Sequence, residues 1–83
     1  MQRFTVDTRY CADRDALAAT RPAHREYLQG LVQRGSVLLA GPWADDTGGF
    51  AVYQVADTDE LDTLLADDPY STAGVAAERT IRE

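Results

Sequence analysis

Two short runs in the middle of the chain are apolar on both sides, and that narrows the folds open to it. They are Ser36 to Trp43, "SVLLAGPW", and Phe50 to Ala56, "FAVYQVA". Side chains of a strand alternate between the two faces of its sheet. Phe50 and Val52 therefore point one way and Tyr53 and Val55 the other, while Val37 and Leu39 oppose Leu38 and Ala40. A sheet centred on such strands needs cover on both faces. A chain of 83 residues has room for two short helices, enough for one face only. A second copy of the chain is the simplest cover for the other.

The flanking segments supply those helices. "RFTVDTRY" reads as a first strand, rich in β-branched and aromatic residues. "CADRDALAATRP" reads as a loop with room for a short helical turn, followed by a helix beginning at Thr20 or Arg21 with Pro22 in its first turn, where a missing N–H costs nothing. Tyr27, Leu28, Leu31 and Val32 make one helical face, and Gly35 closes the helix as a left-handed cap. "ADDTGG" is a turn between the two apolar strands. Asp57 and Glu60 have the spacing of a capping box, ahead of a Leu61, Leu64, Leu65 stripe. Asp68-Pro69 stops this second helix, because a residue before proline is pushed out of the helical region. After "YSTAG", Val75, Ala77, Arg79 and Ile81 alternate along a last strand. The order β-α-β-β-α-β predicts one domain over residues 1–83. It would be an α+β, ferredoxin-like subunit with an antiparallel sheet and both helices on one face. Two such subunits would join face to face through their open faces.

Composition removes several functions. Net charge is −6, and all eight basic residues are arginines, so an acidic surface repels nucleic acid. No apolar run is long enough to span a bilayer, and the first ten residues lack a signal-peptide pattern. A single cysteine, Cys11, fits a reducing compartment, and the expected location is the cytoplasm. With one histidine and one cysteine no metal cage is expected, and no cofactor.

His24 is the one histidine, and it precedes Tyr27, Leu28 and Leu31 by three, four and seven residues. That spacing puts it on the buried stripe of its helix. Asp68 follows Leu61, Leu64 and Leu65 by the same three intervals in reverse, at the end of the other stripe. Each polar group is costly to bury alone, and each satisfies the other. A carboxylate on one ring nitrogen fixes the tautomer and frees the second nitrogen to move a proton. Spacing by itself equally suits a core histidine and a routine helix stop.

A resemblance adds to this reading. "RPAHREYLQGLVQRGSVLLAGPW" with "DDPYSTAG" resembles the YciI-like (YCII-related) family. The matching positions are His24, Tyr27-Leu28, Gly35, Ala40-Gly41-Pro42, Gly49, Asp68-Pro69-Tyr70 and Ala73-Gly74. The resemblance implies a dimeric α+β barrel related to muconolactone isomerases. It also implies an active site built on a His–Asp pair, here His24 and Asp68. One branch of the family is similar to dehydrochlorinases, which eliminate HCl after proton abstraction. The C-terminus departs from the pattern by stopping soon after the last strand, where many relatives continue.

The expected function is that of a cofactor-free lyase or isomerase moving protons on a small anionic organic substrate. His24 is the base, Asp68 its orienter, and Arg21 or Arg25 a clamp for a substrate carboxylate. Arg25 also suits a solvated helix flank. Tyr70 is either a proton donor or a plug of the barrel, and Trp43 a pocket wall or a cover for the barrel's end. Ser71 has no base at a readable spacing. The competing reading is a non-catalytic ligand-binding or accessory protein of the same fold, whose partners are itself and a small molecule.

Overall fold

A computed structural model describes every residue from Met1 to Glu83. The chain runs β1 (Gln2–Tyr10), α1 (Arg14–Gln33), β2 (Val37–Pro42), β3 (Gly48–Val55), α2 (Thr58–Asp67), α3 (Pro69–Thr72) and β4 (Ala76–Arg82). The strands form one sheet in the order β2-β3-β1-β4, with every neighbouring pair antiparallel. This is the ferredoxin-like α+β arrangement the element order predicts. The antiparallel sheet carries the helices over one face, where Phe4, Val6, Tyr53 and Val55 meet Leu31, Leu61, Leu64 and Leu65. A second cluster of Tyr10, Leu17, Tyr70 and Val75 closes one end.

The first helix starts well before Thr20. Asp13 caps it, accepting from the N–H groups of Asp15 and Ala16 at 3.1 and 3.0 Å. Buried Leu17 then anchors two turns of helix where the sequence reads as a loop with at most a short helical turn. Pro22 lies inside the helix, where it removes the bond that would close on Ala18. The other end is as expected. Gly35 has φ +80°, and Gly35 and Ser36 donate to Val32 and Leu31 at 3.0 and 2.9 Å, the paired bonds of a Schellman cap.

Strand β2 departs from simple alternation. Val37 pairs with Tyr53 but Leu39 pairs with Val52, so Leu38 is an extra residue in a bulge. Val37 and Ala40 therefore share the helix side, and Leu39 turns to the open face beside Val52 and Phe50. The open face is apolar only over β2 and β3. Across β1 and β4 it carries Thr5, Asp7, Arg9, Glu78 and Thr80. The "YSTAG" segment is also more regular than it reads, because Asp68 caps the one-turn helix α3.

Candidate functional site

Helix α1 places His24 above the sheet, and the break between α2 and α3 places Asp68 opposite it. Asp68 is extended, as a residue before proline must be, with φ −61° and ψ 129°. That backbone lets one carboxylate oxygen accept from Tyr70 N–H at 2.9 Å and from His24 Nδ1 at 2.7 Å. The other oxygen lies 3.5 Å from Arg79 Nη2. The Asp68 side chain is 3% exposed, so all its compensation must come from such donors. A charge-assisted bond of this kind contributes about 1.5–3 kcal/mol.

The imidazole is held on its face as well. Its ring stacks on Tyr70 with centroids 3.6 Å apart and planes 4° from parallel. Tyr70 itself is buried edge-on against Tyr10. Bonded through Nδ1 and flanked by a ring, His24 has one nitrogen left. Nε2 makes no hydrogen bond within the chain, and no side-chain nitrogen or oxygen is both buried and unpartnered. Nε2 is therefore open to solvent, and His24 borders a cavity of about 480 Å³ between α1 and the helix side of the sheet.

The cavity is cationic in an acidic protein. Arg21, Arg25 and Arg79 line it against the single carboxylate of Asp68, while the chain as a whole has net charge −6. Arg21 Nε donates to Tyr70 Oη at 3.3 Å and its Nη2 to Asp46 at 2.6 Å. Those two bonds, the one to Tyr70 foremost, raise the Arg21 pKa, and the guanidinium holds Asp46 below the usual carboxylate range. Arg25 is exposed and has no ion-pair partner in the chain. Leu28, Val32, Ala51 and Pro42 supply apolar wall. Glycine at position 49 keeps the floor open, since a Cβ there would lie 2.9 Å from Tyr10 Oη. Burial raises the pKa of both Tyr10 and Tyr53.

Of the residues singled out in the sequence, the structure brings His24, Asp68, Arg21, Arg25 and Tyr70 to one cavity. Trp43 lies elsewhere. It sits on the open face, its ring 5.6 Å from Phe50 and its Nε1 donating to Asp7 at 3.2 Å, because β2 ends one residue earlier and the alternation carries it through the sheet. Ser71 Oγ donates to Leu65 C=O and accepts from Arg79, so its proton is committed to structure. Sequence reasoning missed Arg79 and Asp46. Arg79 left a signal, a cation among the inward positions of the last strand. Asp46 left none, since it reaches Arg21 from a turn.

Comparison with known proteins agrees with this architecture. The family model described as the YCII-related domain matches residues 3–83. No curated protein matches. Among solved structures, a 5-chloro-2-hydroxyhydroquinone dehydrochlorinase from Burkholderia phenoliruptrix, in complex with 2,5-dihydroxybenzoquinone, is similar with a TM-score of 0.85 and 22% identity. The match covers 99% of this chain and 92% of that one, and it shows the shared fold.

Proposed function

The chain belongs to the YCII-related domain family, and from that premise we propose that it is a small, cofactor-free lyase or isomerase acting on an anionic organic molecule. One observation carries the reading. His24 is fixed through Nδ1 by a buried carboxylate while its free Nε2 borders a cavity rich in arginine.

In this reading Arg25, with Arg21 behind it, receives the anionic group of the substrate. Nε2 removes a proton from an acidic C–H next to a carbonyl. The electron pair left behind has two outlets. It forms a double bond and expels a leaving group such as chloride from the neighbouring carbon, which is a lyase reaction. Alternatively it delocalises and takes the proton back at another carbon, which is an isomerase reaction. Asp68 stabilises the imidazolium meanwhile, and the Tyr70 face adds a cation–π contribution. The dehydrochlorinase neighbour supports the first outlet. The apolar residues left on the open face, Leu39 at 55% and Trp43 at 44% exposure among them, support a homodimer formed through that face.

The test is a panel of chlorinated hydroxyquinols and carboxylate-bearing unsaturated lactones, followed by chloride release and by C–H to C–D exchange in D2O. His24→Gln and Asp68→Asn should each lower the rate by at least about 100-fold. Compounds that bind in the cavity without elimination or exchange would move the protein to the ligand-binding class.

A further inference from the structure

Arg79 is the residue whose place the proton-transfer reading leaves unexplained. It stands on β4 with all three guanidinium nitrogens directed into the site. Nε donates to Thr8 Oγ1 at 3.3 Å, Nη1 to Ser71 Oγ at 2.5 Å, and Nη2 faces Asp68 Oδ2 at 3.5 Å. Ser71 is in turn pinned to the end of α2 through Leu65 C=O. The Arg79 side chain is 17% exposed, so its position is set by β1 and by the α2–α3 junction and not by solvent.

We propose that Arg79 is a positioning residue that occupies the second oxygen of Asp68 and so keeps His24 a neutral base instead of half of an ion pair; the idea rests on the function proposed above. A carboxylate facing an imidazole alone favours the imidazolium, which has no lone pair with which to take a proton. A fixed guanidinium on the other oxygen offsets that pull. The same carboxylate then orients Nδ1–H without holding a second proton on the ring. The 3.5 Å separation suits this role, since it supplies charge without taking the oxygen that His24 uses.

The charged and titratable groups around His24 are Arg21 and Arg25 on its own helix, Asp68 and Tyr70 at the α2–α3 junction, and Tyr10, Tyr53 and Arg79 on the sheet. Arg21 already has Asp46 as a counter-charge and Arg25 is exposed, so Arg79 is the cation that bears most directly on Asp68.

The experiment is a 15N NMR titration of the only histidine in the unliganded protein, which requires no knowledge of the substrate. In Arg79→Gln the pH midpoint of His24 should rise by about one unit or more, and Arg79→Lys should bring it back toward the wild-type position. An unchanged or lowered midpoint in folded Arg79→Gln overturns the proposal. Should that variant not fold, Arg79→Met, which keeps the length of the side chain without its charge, decides by the same criterion: a raised midpoint supports the proposal and an unchanged one overturns it. A wild-type protein that turns over nothing on the substrate panel, with the midpoint raised in Arg79→Gln, would reject the catalytic reading while leaving the role of Arg79 standing.

Discussion

Asp46 sits in the turn between β2 and β3 at φ +60°, a left-handed position that a short carboxylate side chain tolerates. From there it accepts from Arg21 and Arg14 together, at 2.6 and 3.0 Å, and so steers the Arg21 guanidinium toward Tyr70. Its pKa is lowered, first by the Arg21 hydrogen bond. The tether's contribution is therefore fully present above the unfolded carboxylate value and is lost as pH falls through the depressed folded one. The Arg21 Nε–H signal in a 15N spectrum should hold its position through mild acid and move only below the ordinary carboxylate range. In Asp46→Asn that step should vanish. His24 and Asp68 were legible in the sequence because each interrupts a leucine stripe at helical spacing. Arg79 was half legible, as a charge at an inward strand position. Asp46 was not, because a turn's composition says nothing about what its side chains reach.

Pro22 is the element-scale misfit. A proline read near a helix start is ordinarily placed in the first turn, yet here two turns of helix precede it. The stronger local signal was Asp13, whose side chain caps the helix while Ala16, Ala18 and Ala19 favour its growth. An interior proline costs a helix about 3 kcal/mol, part of which the stiffened unfolded chain offsets. Pro22→Ala should thus stabilise the domain by about 1 kcal/mol, raising Tm by about 4–8 °C in a thermal melt. Asp13→Ala should act in the opposite sense by about 1 kcal/mol. Strand β2 gives the parallel case. Its alternation was readable, but the bulge at Leu38 was not, since nothing in "VLLA" marks which residue is extra. The bulge reverses Leu39 and so decides what the open face displays.

The whole molecule combines a cationic cavity with an acidic exterior, and an apolar half-face with a polar one. The βαββαβ order and the sheet it builds followed from the runs of apolar residues and their caps. The division of the open face did not, because the register that puts Thr5 beside Val52 and Asp7 beside Phe50 is a tertiary property. If a second copy covers Leu39, Phe50, Val52 and Trp43, sedimentation at micromolar concentration should give twice the chain mass, and Val52→Glu should give the monomer. A wild-type monomer would reject that assembly without touching the site within each subunit. The proposed function requires that Asp68 fix the proton of His24 on Nδ1, across their 2.7 Å contact, and leave Nε2 bare toward the cavity. The 15N spectrum of the single imidazole in its neutral form reads this directly. In the wild type Nδ1 should be protonated and Nε2 unprotonated, with the tautomers mixing in Asp68→Asn. A proton on Nε2 in the wild type, or a tautomer indifferent to Asp68→Asn, would contradict it.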